Sequence, residues 1–533
     1  MKRCFLPIAL CLMAGLCLLA VPSRYVKKAE AVCPTCPPPP PPPPTVGQFG
    51  GPLAGLSTSI TNLFNGGYGN FVIKWDPIRG LGPVSTKTGC FTCHGAGTNV
   101  LTGTAGDTSN QTGTRLGKWN SDNTFNYLDG NGTFPENEGG PVLHGISNAT
   151  FQTLPTCNQM VIASNGATES GTTVTITTTA AHGFKTGQEV QVLNVPVSGY
   201  NGQFAITGTP TTTTFTYTAT KSGLAASGGG AAQNLPHEVV PTDATVVNEV
   251  RSPQLFGFGL IDNIPDSSIT ANVGISKKFG ITGIANMVPD ESGVVRPGKF
   301  GQKLDAVSLF QFNANAEFNE LGITTDNHFF GILSEFNPNE HLPQGLAFPT
   351  SCQPDKNAPQ DVAQVNMIKQ TQFIALLAPI PPKPPTSSST AGKVVFESTG
   401  CNICHIESFT TAQNVTLRTT NGSKTAVIPS LSNVAFTPYS DFLLHDMGSG
   451  DSGGIPFQPH GTGQATLTMW RTSPLWGLSN ILTKAGGLMH DNTSTTIDAA
   501  IRRHGGEAAT VVSNYKALNS TDSANLLAFL NSL

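Results

Sequence analysis

The chain has little charge and only one long apolar run. Charged residues make up 12% of its 533 positions, against about 25% in a typical soluble protein. Its 29 basic and 33 acidic residues give a net charge of −4, which argues against a nucleic-acid partner because such proteins carry a basic surface. A single long apolar run excludes a polytopic membrane protein. The length indicates roughly two to four domains.

The long apolar run lies at the N-terminus. Lys2 and Arg3 precede it, residues 4–21 form it, and residues 29–31 have the small-x-small pattern of a cleavage site. These three regions are typical of a secretory signal peptide covering residues 1–31. An uncleaved anchor is the alternative, because a run of about 18 residues approaches the length that spans a bilayer. Cleavage is favoured, and the protein is then extracytoplasmic, in the periplasm or otherwise exported.

Eleven cysteines are too many to ignore and too few for a disulfide scaffold of this length. Four of them lie in two copies of the pattern C-x-x-C-H, Cys90–His94 and Cys401–His405. This is the c-type haem attachment motif, in which both thiols bond the porphyrin vinyl groups and the His binds the iron. A redox dithiol with an unrelated His, or a zinc site, is the alternative interpretation. Two copies in an exported chain favour two covalently bound haems c, attached through Cys90, Cys93, Cys401 and Cys404 with His94 and His405 as iron ligands.

The other cysteines carry no such motif. Cys33 and Cys36 form a C-x-x-C pair without the following His, so they are not interpreted as a third haem site. Three more cysteines fall within the signal segment. Cys157 and Cys352 are the unassigned pair in the body of the chain, and we expect a disulfide between them.

Proline-rich tracts and a β-like stretch divide the chain. Residues 32–50 form a Cys/Pro-rich linker whose eight consecutive prolines favour a stiff polyproline II spacer, and residues 379–390 form a Pro/Ser linker. We predict a mainly α fold with two cytochrome c-like haem domains and a small all-β module inserted in the first of them. The boundaries are 51–160 and 236–378 for the two parts of the N-terminal haem domain, 161–235 for the inserted module and 391–533 for the C-terminal haem domain.

The inserted module is inferred from alternating residue types. Four strand-like runs, at residues 173–177, 189–195, 202–208 and 214–218, are separated by Gly and Asn. His182 in this segment is interpreted as a turn residue of the module, since an isolated His is rarely a ligand.

A helix is predicted shortly before the C-terminus. Ile497, Ala500, Ile501 and His504 have the spacing of one apolar helix face. An imidazole in that position is either a packed core His or the second axial ligand of the haem that His405 binds. Its place at a helix end within a haem domain favours ligation.

Short elements along the chain carry a family resemblance. They are Gly80-Leu81-Gly82-Pro83, Arg251-Ser252-Pro253-Gln254-Leu255-Phe256-Gly257, Asn319-Glu320-Leu321-Gly322, Ser440-Asp441-Phe442-Leu443-Leu444-His445-Asp446, Trp470-Arg471-Thr472-Ser473-Pro474 and His504-Gly505-Gly506-Glu507. With the two haem motifs, they resemble the bacterial di-haem cytochrome c peroxidase superfamily, and more narrowly its di-haem oxidoreductase branch. The resemblance covers most of the mature chain apart from the β module and the Pro-rich leader.

The resemblance implies roles for individual residues. In the peroxidases a Met at a fixed distance after a His-Asp element binds the C-terminal haem, and His504 falls at that position here, which implies a His405/His504 haem. The peroxidases also use an acid/base Glu over the N-terminal haem, and Glu320 is the best match. Peroxide would then bind at an open site on the haem of His94. A solvated helix carboxylate is the alternative interpretation of Glu320.

One departure from the family concerns the space between the haems. The resembled branch has a Trp there, in a Phe-Gly-Trp-Lys element, whereas this chain has Gln302 in Phe300-Gly301-Gln302-Lys303. Either Trp470 or Trp476 takes over as an aromatic relay, or the transfer of electrons between the haems is slower.

Two functions follow. In the first, the protein is a c-type cytochrome oxidoreductase of the peroxidase kind: a small redox protein or quinone-linked donor reduces the C-terminal haem, and the N-terminal haem reduces peroxide or a related small oxidant. Glu320 and His445 are then the predicted catalytic groups, although His445 is equally a packed structural His. In the second, His144 or His445 reaches the iron of His94, and the protein is a non-catalytic electron carrier with both haems six-coordinate.

The remaining partners are less defined by the sequence. The family implies calcium between the haem domains, but no acidic cluster here identifies a site. Association with the cell surface and formation of a homodimer are left open.

Overall fold

The computed structural model describes residues 42–75, 84–95, 104–108, 111–121, 125–128, 146–147, 159–184, 186, 189–219, 221–235, 244–274, 278–290, 292–321, 323, 364–448 and 468–533. The signal segment, the Cys33/Cys36 pair, His144 and the expected Cys157–Cys352 disulfide lie outside these residues. Among the described residues, no helix is both long and apolar enough to cross a membrane.

The described residues form eleven α-helices and seventeen strands. The helices are α1 (Thr58–Phe71), α2 (Cys90–Cys93), α3 (Phe258–Asp262), α4 (Asp266–Thr270), α5 (Leu309–Leu321), α6 (Gln364–Leu376), α7 (Ser387–Thr399), α8 (Leu478–Ala485), α9 (Ile497–Arg503), α10 (Ala509–Lys516) and α11 (Ser520–Leu530). The strands are β1 (Val84–Ser85), β2 (Thr112–Trp119), β3 (Phe125–Leu128), β4 (Ile146–Ser147), β5 (Gln159–Ser170), β6 (Thr173–Thr178), β7 (Glu189–Leu193), β8 (Gly202–Thr211), β9 (Thr214–Thr218), β10 (Ala231–Leu235), β11 (Val246–Arg251), β12 (Met287–Pro289), β13 (Val295–Pro297), β14 (Phe409–Thr410), β15 (Ala435–Phe436), β16 (Leu444–Asp446) and β17 (Met469–Arg471).

The fold is mixed, so the prediction of a mainly α fold with two cytochrome c-like domains is wrong. Of the described residues, 32% are helical and 22% lie in strands. Four of the sheets are two-stranded pairs, β1–β4, β12–β13, β14–β15 and β16–β17, whose strands have only two or three residues. Strands this short show no period-two pattern in a sequence. The three-stranded sheet β11-β2-β3 also lies outside the segment predicted to be β.

Strands β5 to β10 form a closed antiparallel barrel in the order β10-β5-β6-β9-β8-β7. Along β6 buried residues alternate with less buried ones, as the period of a strand requires. The barrel has a hydrophobic core of its own, in which the Tyr217 hydroxyl donates to the Tyr200 carbonyl at 2.8 Å. His182 is buried there, and its Nδ1 accepts a hydrogen bond from the Phe184 N–H at 2.9 Å.

The largest core lies outside the barrel and joins α1, α3 and α6 to Trp476 in the C-terminal part. The ring of Phe373 on α6 lies 5.0 Å from that of Phe64 on α1. The two helices approach so closely that a Cβ added to Gly67 would lie 2.2 Å from the Lys369 carbonyl oxygen. Helix α5 packs on α6 in turn, which fixes α5 opposite the first C-x-x-C-H motif.

The second motif follows directly from the end of a well-capped helix. Thr386 caps α7 by accepting from the Ser389 N–H at 3.0 Å, and the Ser389 hydroxyl oxygen accepts from the Thr386 N–H at 2.8 Å. The helix ends at Gly400, whose φ of +104° is a left-handed conformation that favours glycine. The chain therefore turns sharply into Cys401, while α11 packs along α7 behind it.

Candidate functional site

The first motif is built around one turn of helix. Cys90–Cys93 form α2, and the His94 N–H closes the turn by donating to the Cys90 carbonyl at 2.9 Å. His94 Nδ1 lies 2.8 Å from the Pro253 carbonyl oxygen. Because a carbonyl only accepts, Nδ1 carries the hydrogen and Nε2 carries the lone pair. Burial lowers the pKa of His94 to about 4, so the imidazole is neutral, as a metal ligand must be.

The second motif repeats this arrangement on a different local structure. His405 follows a short 3-10 turn, and its N–H donates to the Cys401 carbonyl at 3.0 Å. Its Nδ1 lies 2.8 Å from the Tyr439 carbonyl oxygen, and burial lowers its pKa to about 4. A backbone carbonyl that fixes the tautomer and the ring orientation is the usual support of a metal-binding His.

Three of the four motif thiols, Cys90, Cys93 and Cys401, are poor candidates for thiolates. Burial raises the pKa of Cys93 and of Cys401 to about 12, and it raises the pKa of Cys90 as well. Zinc binding and dithiol redox chemistry both need thiolates, which form where neighbouring groups lower the pKa. The environment therefore disfavours both alternatives to haem attachment.

Each motif opens into its own cavity. The N-terminal cavity contains Cys90, Cys93 and His94 and encloses about 1630 Å³ of space, part of it open to solvent. The C-terminal cavity contains Cys401, Cys404, His405 and His504 and encloses about 1410 Å³, again partly open to solvent. The two cavities are thus similar in size.

His504 lies in the C-terminal cavity together with His405. It follows α9 as the C-cap residue, and its Nδ1 is 2.7 Å from the Ala500 carbonyl oxygen. His504 is near enough that a charge on it would lower the pKa of His405. The structure thus brings together the two residues of the predicted His405/His504 pair, each with Nδ1 at a carbonyl.

His445 lies in the C-terminal cavity and does not line the N-terminal one. Its Nε2 is 3.0 Å from Asp441 Oδ2, and its Nδ1 is 2.9 Å from Glu507 Oε2. Burial alone would lower the pKa of His445, but hydrogen bonds with Asp441, Cys404 and Glu507 outweigh it and raise the pKa to about 12. A protonated imidazole donates from both nitrogens and offers no lone pair to a metal.

Two carboxyl groups of α5 line the N-terminal cavity. Glu320, predicted from the sequence, is partly exposed, with Oε1 3.3 Å from Arg115 Nη2. Glu317, which sequence reasoning missed, lies one turn earlier and is only 1% exposed. Neither of its oxygens has a hydrogen-bond partner among the described residues. Burial raises its pKa to about 8, which the nearby Gln370 amide offsets only in part. The i, i+3 spacing of the two Glu residues could have revealed them as one helix face.

Four residues line both cavities: Arg251, Gln302, Trp470 and Arg471. We call this set the shared wall. Gln302 therefore occupies the place that the family resemblance gives to a Trp, and Trp470 lies beside it. Trp476 packs instead in the large core, with its ring 6.0 Å from that of Phe436.

Whether haem fits the two cavities depends on the polar groups of the shared wall. Nη1 of Arg251 and Nε of Arg471 are buried without a partner among the described residues. A buried donor without an acceptor is costly, and haem carries two anionic propionates. Each cavity therefore combines a neutral His, paired cysteines and unsatisfied cationic donors, a set that fits haem.

Comparisons with known proteins agree in part with this site. Residues 229–533 match the family described as "Di-haem oxidoreductase, putative peroxidase". No curated protein matches the chain. Hydrazine synthase from Kuenenia stuttgartiensis has 13% sequence identity, covers 53% of this chain and 89% of its own, and has a TM-score of 0.25. A MauG-like protein associated with microbial copper homeostasis has 14% identity, covers 56% of this chain and 92% of its own, and has a TM-score of 0.24. These two structural likenesses are too distant to carry an argument.

Proposed function

The chain belongs to the di-haem oxidoreductase family, and we propose that it is an exported, peroxidase-like member with two covalently attached haems c. The observation that carries this proposal is the repeated geometry of the two motifs. In each, a partly buried His donates from Nδ1 to a backbone carbonyl at 2.8 Å and lines a cavity.

The proposed holding groups divide between the cavities. His94 would hold the haem iron of the N-terminal cavity through Nε2, and His405 and His504 would hold that of the C-terminal cavity. Once bound, haem supplies the one-electron redox chemistry. His445 acts as a positioning residue, because its pairing with Glu507 ties β16 to the turn that follows His504.

An asymmetry between the cavities favours an enzyme over an electron carrier. Of the described residues that line the N-terminal cavity, His94 is the one His, and none is a Met. The C-terminal cavity presents His405 and His504 together. Peroxide or a related oxidant would therefore bind in the N-terminal cavity, and a small redox protein or quinone-linked donor would deliver electrons on the C-terminal side.

The shared wall is the proposed electron path between the two cavities. Trp470 is the aromatic residue of the shared wall. Its indole takes the role of the family Trp, in whose place this chain has Gln302. Lys303 Nζ lies 3.7 Å from the centroid of the Trp470 ring, and the His490 ring lies 3.6 Å from it. These contacts hold the indole in place between the cavities.

The two carboxyl groups are proposed to handle protons in the N-terminal cavity. Glu317 is buried and, with a pKa of about 8, holds a proton at neutral pH. Glu320 is partly exposed and bound to Arg115, which suits exchange of protons with solvent. Protonation of an oxygen that leaves as water is the general-acid step of peroxide reduction.

Two paired-cysteine variants of the mature protein test the proposal. Covalent haem is counted by denaturing gel and absorbance, and peroxide consumption is followed with a reduced electron donor. We expect two haems in the wild type. The Cys90→Ala/Cys93→Ala variant should keep one haem and lose peroxide turnover, while the matched Cys401→Ala/Cys404→Ala variant should lose the supply of electrons. Two covalent haems without any peroxide turnover would favour the electron-transfer alternative.

A further inference from the structure

Two arginines of the shared wall and a neighbouring lysine bring three basic side chains to the boundary between the cavities. Arg251 and Arg471 lie near enough that the charge of Arg471 adds to burial in lowering the pKa of Arg251 to about 10. Lys303 lies beside them and interacts with the Trp470 ring. Asp305 is the carboxylate whose charge acts on Arg471.

Asp491, the first carboxylate after Arg471 in the sequence, is paired with a different arginine. Asp491 Oδ1 and Oδ2 bind Arg503 at 2.7 and 2.8 Å. His490, which contacts Trp470, is neutral, because burial lowers its pKa to about 3. Within the part of the chain that the structure describes, neither Arg251 nor Arg471 forms an ion pair with a carboxylate.

The backbone fixes both arginines at this junction. The Arg251 N–H donates to the His490 carbonyl at 2.8 Å, and Arg251 Nε donates to the Met489 carbonyl at 3.3 Å. The Arg471 N–H donates to the Gln302 carbonyl at 3.2 Å. After these bonds, one donor nitrogen of each guanidinium is still buried without a partner among the residues that the structure describes, and both side chains line both cavities.

We propose that Arg251 and Arg471 form a single carboxylate-binding bridge that takes propionate groups from both haems. Guanidinium donors match carboxylates geometrically and in charge. The inference rests on the proposed function only in that haem occupies both cavities. Its consequence is electrostatic: a cation held between two redox centres favours the reduced form of each. The bridge therefore raises both reduction potentials together.

Arg115 offers a matched control. It lines the N-terminal cavity and is paired with Glu320, and it does not line the C-terminal one. Removing its charge should affect the N-terminal haem alone. Arg115 should therefore influence one haem, whereas Arg251 and Arg471 should each influence both.

The test is a redox titration of the full-length holoprotein, followed by absorbance and EPR so that each haem is read separately. Arg251→Gln and Arg471→Gln should each lower both midpoint potentials, whereas Arg115→Gln should leave the His405 haem unchanged. Arg471→Lys, which keeps the charge, should lower both by less and serves if the Gln variants fail to load haem. A shift of one potential only, or of neither, in protein that holds two haems would overturn the bridge. The proposed function fails separately, by absence of covalent haem or of peroxide turnover.

Discussion

The two cavities share one half of their design and differ in the other. In both, a C-x-x-C-H histidine is partly buried, neutral and fixed through Nδ1 by a backbone carbonyl. Besides this common half, the C-terminal cavity contains His504, whereas the N-terminal cavity contains Glu317 and Glu320. The difference teaches that the motif fixes where a haem attaches, and that the facing residues decide what it does.

The largest effect is expected from substituting the carboxyl groups of the N-terminal cavity, Glu317 and Glu320. Glu317→Gln removes a proton held in the N-terminal cavity, and we expect peroxide turnover to fall about 100-fold or more, the range of a lost general acid. Glu320→Gln is the matched variant on the same helix face, and its effect should be smaller because Glu320 already exchanges with solvent. Steady-state turnover of both variants, at equal haem content, measures the difference. An equal or larger loss in Glu320→Gln would return the role to Glu320.

The pH dependence of the wild type sharpens the same point. The raised pKa of about 8 means that Glu317 is protonated below that pH and ionised above it. Turnover that needs its proton should be retained below about pH 8 and decline above it. The Glu317→Gln variant should lack this decline. A decline that survives in Glu317→Gln would assign the titration to another group.

The His445 ion pairs test the other cavity through stability. Burial raises the pKa of Glu507, but hydrogen bonds with His445 and the Thr282 N–H lower it to about 2, while that of His445 rises to about 12. The ordinary pKa values are 4.5 for Glu507 and 6.5 for His445. The ion pair therefore contributes its full stabilisation to the folded protein between pH 4.5 and pH 6.5. It is lost as pH falls toward 2 or rises toward 12.

Removing the imidazole should therefore cost most in that window. We expect His445→Gln to lower the free energy of unfolding by about 3–5 kcal/mol, because the buried Asp441 and the partly buried Glu507 lose their cationic partner. Denaturation of the holoprotein across pH measures this. As a control, Arg502→Gln removes an exposed partner of Asp498 and should change stability little at any pH. A pH-independent loss in His445→Gln would mean that packing, not charge, is the contribution.

A smaller effect is expected on the rate of electron transfer between the two cavities. Trp470→Leu removes the aromatic group of the shared wall, and we expect the rate of electron transfer between the haems to fall several-fold. Trp470→Phe should retain part of the rate. Trp476→Phe, in the core away from the wall, should leave the rate unchanged. Stopped-flow absorbance after rapid reduction of one of the two haems measures these rates. An unchanged rate in Trp470→Leu would exclude the indole from the path.

The two C-x-x-C-H motifs can be read from local spacing alone, and haem attachment there stays a prediction. The apolar spacing of Ile497, Ala500 and Ile501 correctly predicted a helix, observed as Ile497–Arg503. The fold class failed because strands such as β14 and β16 have two or three residues and owe their existence to distant partners. Glu317 was missed for a related reason, since its burial depends on α6 and on the first motif.

The shared wall shows most clearly what a sequence withholds. Arg251, Gln302 and Trp470 are far apart along the chain. Backbone hydrogen bonds from Arg251 to His490 and from Arg471 to Gln302 help to hold this region together. A pattern search could note that Gln302 replaces a family Trp. It could not show that Trp470 lies beside it.

The central claim is that one haem site is closed by two histidines and the other is open. EPR of the oxidised protein, followed by carbon monoxide titration of the reduced protein, tests it most directly. The account predicts one low-spin haem that ignores carbon monoxide and one haem that binds it, with His504→Ala converting the first into a second binder. Two low-spin haems in the wild type, neither of which binds carbon monoxide, would contradict the account.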